Sequence, residues 1–206
     1  PAATPIALSE GWNWIGFTPQ NDGPTIDALA SISTSEGDFI KNQSAQAEYY
    51  EGFGWYGGLE VMAPTEGYML SVAEGSDLIY PNFGADDALT RSKVKSDLPR
   101  AIAEWDINHH AFEFNGTITL SIESHDDMDG DYIGVFAADE LRGVAERMYF
   151  PFDESYIYIA MVYSNVAEGE KLSFKYYNSE TGNVVSYHES LDFSSDMIVG
   201  DGFNTF

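Results

Sequence analysis

Lys171-Leu172-Ser173-Phe174-Lys175-Tyr176-Tyr177, Asn178-Ser179-Glu180-Thr181-Gly182-Asn183 and Val184-Val185-Ser186-Tyr187-His188-Glu189 follow one another without interruption. The two outer runs are rich in aromatic and β-branched side chains, and the middle one is made of residues that favour turns, so the stretch predicts a β-hairpin. The same pattern extends upstream. Strands are predicted at Tyr132 to Ala137, Gly143 to Tyr149 and Tyr156 to Tyr163, spaced as the strands of a sandwich are spaced. The run Tyr156-Ile157-Tyr158-Ile159-Ala160-Met161-Val162-Tyr163 is apolar on both faces. It fits a central strand covered on both sides, or one whose second face meets a neighbouring subunit. Phe112 and Phe114, then Asn115-Gly116, then Ile118, Leu120 and Ile122 predict a further hairpin, with Asn-Gly as a two-residue type I′ turn.

Towards the N-terminus the texture changes. Trp12, Trp14, Tyr49, Tyr50, Phe53, Trp55, Tyr56 and Tyr68 alternate with Gly11, Gly16, Gly52, Gly54, Gly57, Gly58 and Gly67, a mixture that reads as short strands and tight turns. One helix is expected at Thr25 to Ile32, opened by Asp22-Gly23-Pro24, with Ile26, Leu29 and Ile32 on one face. Residues 81–104 are charged and poor in large apolar side chains, as a linker is. The sequence therefore predicts a mainly β protein of two small domains in tandem. Residues 1–80 form an aromatic and glycine-rich β module with an N-terminal extended arm and one short helix, 81–104 a linker, and 105–206 an Ig-like or jelly-roll type β-sandwich.

The chain of 206 residues carries 34 acidic and 9 basic side chains, a formal net charge of -25. Phosphate backbones and anionic membranes are repelled by such a surface, which removes nucleic acid from the expected partners. Both parts are acidic, with 11 acids and one base in residues 1–80. This charge suits a salty or calcium-rich exterior. No cysteine is present, so neither disulfides nor thiolate metal sites are available. No run approaches the roughly 18 apolar residues of a membrane-spanning helix, and no membrane insertion is expected. The chain opens at Pro1 with neither Met nor a signal-like leader, which reads as a processed form or an excerpt.

Gly11-Trp12-Asn13-Trp14-Ile15-Gly16, Gly37-Asp38-Phe39-Ile40-Lys41-Asn42-Gln43, Gly54-Trp55-Tyr56-Gly57 and Pro64-Thr65-Glu66-Gly67-Tyr68-Met69-Leu70 together resemble a module repeated in large secreted and surface proteins of marine and Bacteroidetes bacteria. Asp131-Tyr132-Ile133-Gly134-Val135-Phe136, Leu141-Arg142-Gly143-Val144-Ala145 and Val162-Tyr163-Ser164-Asn165 resemble the β-sandwich module that commonly follows it. The resemblance implies an exported, extracellular location and no reaction. Leu141 stands where the resemblance leads one to expect a cysteine, so any role of that thiol is absent.

Several constellations are candidates for chemistry or binding. His125-Asp126-Asp127-Met128-Asp129-Gly130-Asp131 gathers carboxylates around a glycine, with Asp127, Asp129 and Asp131 as candidate calcium ligands; the distal Glu of an EF-hand is missing, since that position falls on Ala138. The alternative is a solvated acidic turn. Trp55 and Tyr56, with Trp12, are candidates for stacking on sugars, against a purely structural use. The histidines His109, His110, His125 and His188 show no metal-ligand spacing, and His109 and His110 would face opposite ways if extended. Asn42 and Asn115 head glycosylation sequons, Asn42-Gln43-Ser44 and Asn115-Gly116-Thr117, against chance occurrence of so short a motif. No nucleophile elbow or phosphate loop is present, so no enzyme is expected.

Pro1 to Leu8 forms a short apolar segment kept extended by its prolines. Ile6 and Leu8 would anchor it, either on its own domain or as an arm added to a neighbouring sheet, which would make a fibre subunit. The sequence is thus read as an extracellular structural or adhesive protein, a self-associating homopolymer subunit of a surface filament or fibril, or a module of a large adhesin. A carbohydrate-binding module that takes extracellular glycans is the alternative.

Overall fold

The computed structural model describes residues 4–84, 98–122 and 129–206. It is mainly β, and the chain divides into two compact units, Pro1–Val94 and Lys95–Phe206.

In the first unit, strands β1 (Ile6–Ala7), β2 (Gly11–Gly16), β3 (Gly23–Pro24), β4 (Phe39–Lys41), β5 (Gln46–Tyr50), β6 (Gly54–Gly57), β7 (Val61–Met62), β8 (Gly67–Val72) and β9 (Asp77–Leu78) surround one turn of helix, α1 (Thr25–Ala28). A five-stranded sheet runs in the order β2-β8-β4-β5-β6, and β1-β9 and β3-β7 form two short ribbons. Alternation puts Ile15, Ile40, Ala47, Tyr68, Leu70 and Val72 on one face, where Leu29, Ile32 and Met62 close a common core over them. The helix is shorter than the sequence suggests. It stops at Ala28, so Leu29 and Ile32 are buried while Ile26 is left 53% exposed. Pro24 brings no side-chain cap, and the Thr25 hydroxyl donates to the Leu59 carbonyl instead.

In the second unit, strands β10 (Phe114–Leu120), β11 (Tyr132–Ala137), β12 (Glu140–Phe150), β13 (Ser155–Ser164), β14 (Glu168–Asn178), β15 (Asn183–Ser194) and β16 (Ile198–Val199) form one sheet in the order β15-β14-β11-β12-β13-β10-β16. Residues 140–146 of β12 pair with β11 and residues 147–150 with β13. This long strand thus carries the sheet from one layer into the next, and the sheet curls into a sandwich-like body. Its interior holds Ile118, Val135, Ala145, Tyr158, Ala160, Val162, Leu172, Phe174 and Phe193. The second faces of β11 and β14 are covered too. Ile102 and Trp105 pack on Tyr132, Phe136 and Tyr177, and a Cβ on Gly134 would come within 3.0 Å of the Trp105 ring.

The predicted hairpin of β14 and β15 is present, with Asn178 paired to Asn183. The predicted hairpin at Asn115-Gly116 is not. Both residues lie inside the continuous strand β10, opposite Tyr163 and Val162 of β13. Gly116 serves a close approach here: a Cβ would lie 2.7 Å from the Met197 side chain, where the chain enters β16 alongside Thr117. The apolar run 156–163 is a central strand within this chain. Ile157, Met161 and Tyr163 are buried on its second face, with Phe112 stacked on Tyr163 at 5.9 Å. Both described ends of the predicted linker 81–104 belong to cores. Phe83 stacks on Phe17 in the first unit, and Ile102 is fully buried in the second.

Candidate functional site

Strand β2 is an edge of the five-stranded sheet, and its alternation separates Ile15, which is buried in the core, from Trp12 and Trp14 on the opposite face. Trp14 is 79% exposed and Trp12 38%. Across the sheet, Trp12 stands opposite Ser71 and Trp14 opposite Met69. Trp12 is held from within: its ring meets Phe39 edge-on at 6.3 Å, and the Lys41 ammonium lies 5.3 Å from its centroid. Lys41 is 1% exposed and is the one basic residue of residues 1–80. Asn13, between the two indoles, fixes the approach to the strand. Its Oδ1 accepts from the Ser9 amide, and its Nδ2 donates to the Ser9 and Gly11 carbonyls.

The predicted sugar-stacking residues are not gathered. Trp55 and Tyr56 lie on β6, the far edge from β2, roughly 19 Å away across four strand spacings. Trp55 packs against the core with its ring edge-on to Tyr49, and Tyr56 is half-buried against Tyr50. Burial, then the Glu60 carboxylate, pushes the Tyr56 hydroxyl pKa up. Trp12 alone of the three is on the exposed pair. Trp14 is the residue that sequence reading passed over, although the alternation Trp12-Asn13-Trp14-Ile15 already placed both indoles on the face opposite Ile15.

The acidic turn is also divided. Asp131 is fully buried, accepting from the Tyr176 hydroxyl at 2.5 Å and the Ser179 amide at 2.7 Å. Asp129 is exposed and paired with Arg147 at 2.8 Å, while Asp127 lies outside the described residues. Asp131 is therefore a structural acceptor, with both oxygens engaged in joining β11 to the β14–β15 turn. Among the described residues no group of three His, Asp or Glu side chains could hold a metal ion.

His109 and His110 do not face opposite ways. They lie in a 3-10 turn with ring centroids 4.0 Å apart, and burial followed by the neighbouring His110 lowers the His109 pKa. His188 is exposed on β15, and His125 lies outside the described residues. The Asn42 side chain folds over its own turn, accepting from the Ser44 and Ala45 amides and donating to Glu66. Asn115, the second sequon, is half-buried in β10. The arm residues are used at home: Ile6 pairs with Leu78, and Leu8 is buried in the first core with its amide donating to Ser76.

No helix among the described residues is long and apolar enough to cross a membrane. Comparison with protein-family models, with curated proteins and with solved structures found no match for the chain.

Proposed function

We propose that this chain is an extracellular structural or adhesive protein that works by self-association and catalyses no reaction. The observation that carries the reading is β15. It is the outermost strand of its sheet and twelve residues long, and it is exposed along residues 183–190. Val184, Val185 and Tyr187 present apolar surface there, at 43%, 50% and 37% exposure. The outer side of an edge strand is where another strand can add, the contact by which sheets extend. The register slip between Ser173 and Lys175 of β14 breaks that edge near Tyr187, which favours pairing along the 183–186 run. The charge of -25 opposes approach of a second copy in dilute salt and is screened within about 3 Å at 1 M, so association belongs to a salty exterior.

Sedimentation velocity and negative-stain microscopy at low and high sodium chloride test the reading. The native chain is expected to associate as salt rises, and the double variant Val185→Lys, Tyr187→Lys to remain monomeric. A native chain that stays monomeric at every salt concentration, or a variant that assembles like the native chain, defeats it.

A further inference from the structure

We infer that Trp12 and Trp14 form a binding platform for a neutral polysaccharide. Two indoles on alternate positions of one strand lie roughly 6.8 Å apart along it and point from the same sheet face. An apolar ring that stands 79% exposed adds nothing to the core, and its neighbour is braced by Phe39 and Lys41. Bracing fixes the ring before any ligand arrives, which lowers the ordering cost of binding.

Size and charge select the occupant. Aromatic side chains bury about 150–250 Å² each, so rings 79% and 38% exposed offer about 300 Å² between them. A standard protein interface needs about 800 Å² from each partner, of which these two rings supply less than half, whereas their area matches the faces of a few sugar rings. Sugars present flat C–H faces to an indole and keep their hydroxyls towards water.

An anionic ligand finds no partner here. Among residues 4–84 the one base is Lys41, and it is buried beneath Trp12. A cationic ligand is drawn by the acid surplus of residues 1–80, but it meets a Trp12 ring that already faces the Lys41 ammonium, and like charge across one ring weakens that attraction. An uncharged chain with apolar faces suits both rings.

Affinity electrophoresis of the full chain through gels containing a soluble β-1,3-glucan, a β-1,4-mannan, an α-1,4-glucan or anionic alginate tests the inference, with oligolysine titrated against tryptophan fluorescence in parallel. At least one neutral polysaccharide is expected to retard the native chain. Trp14→Ala and Trp14→Leu should each weaken that retardation tenfold or more, because both remove the planar ring. Their thermal midpoints should match the native one. The double variant Val185→Lys, Tyr187→Lys should bind as the native chain does, which separates this site from the assembly edge. The inference is overturned if no neutral polysaccharide retards the chain, if Trp14→Leu binds as well as the native chain, or if only alginate or oligolysine responds.

Discussion

The guanidinium of Arg142 donates from Nε and Nη2 to the two carboxylate oxygens of Glu170, each at 2.8 Å. The pair joins β12 to β14 in the second unit. Arg142 also reaches Glu140 at 3.0 Å and lies 5.3 Å from the centroid of the Phe112 ring. Its side chain is 9% exposed and that of Glu170 18%, so both charges are held away from most of the water. Removing one member of such a pair leaves the other uncompensated.

Arg142→Met should therefore destabilise the unit by about 1–3 kcal/mol, because it leaves the Glu170 carboxylate without its main donor, and Glu170→Gln by less, because Arg142 keeps its contact with Glu140. The double variant should lose less than the two single losses together, since no charge is then stranded. Urea unfolding of the four proteins reads the coupling directly, and strictly additive losses would show that the pair contributes nothing.

The same pair sets an acid dependence. Hydrogen bonds from Arg142 lower the Glu170 pKa below the ordinary value of 4.5; burial opposes the shift, and the Ser164 hydroxyl adds to it. A folded-state pKa below the unfolded one means that the unfolded chain binds the proton more readily. The stabilisation is complete above about 4.5 and disappears as pH falls through the lower folded value. Unfolding free energy measured from pH 6 down to 3 should fall less steeply in Glu170→Gln than in the native protein.

Asp131 should behave as a structural acceptor. Replacing it with Ala removes the acceptor of the Tyr176 hydroxyl and of the Ser179 amide, and a buried donor that loses its acceptor costs about 1–3 kcal/mol. Asp131→Asn keeps one acceptor oxygen and should recover part of that loss. Thermal unfolding of the two variants tests this role: a negligible loss in Asp131→Ala would mean that neither hydrogen bond matters.

The strands of the second unit were legible where their alternation is a local property. The sequence-based range Tyr132 to Ala137 coincides with β11, and those at 143–149, 156–163, 171–177 and 184–189 lie inside β12 to β15. Asn115-Gly116 misleads because the same dipeptide serves two physical ends. As a turn it needs only its neighbours, whereas here Gly116 makes room for Met197, 81 positions along the chain, and nothing local announces that contact. The helix was overextended for a related reason: Leu29 and Ile32 do face the core, through turns that follow Ala28. At the candidate site, Trp12 and Trp14 share one face by simple alternation. The separation of Trp55 and Tyr56 from them depends on the strand order β2-β8-β4-β5-β6, which no local pattern encodes.

The two glycines of the second unit that the resemblance and the false hairpin brought forward should respond differently to a methyl group. At Gly143 the added carbon would lie 2.4 Å from the carbonyl oxygen of Met161. That atom belongs to the backbone of the central strand β13 and cannot move without shifting its ladder. At Gly116 the nearest atom is the Met197 Cγ at 2.7 Å, part of a flexible side chain, and the nearest backbone atom is 3.2 Å away. Methionine readjusts readily. Gly143→Ala should therefore fall at or beyond the upper end of the roughly 1–3 kcal/mol that overpacking costs, and Gly116→Ala near its lower end. Were Asn115-Gly116 a type I′ turn, both central residues would need positive φ, and Gly116→Ala would be strongly disfavoured for backbone reasons. Denaturant midpoints of the two variants decide between these descriptions: a Gly116→Ala loss as large as that of Gly143→Ala contradicts the continuous strand β10.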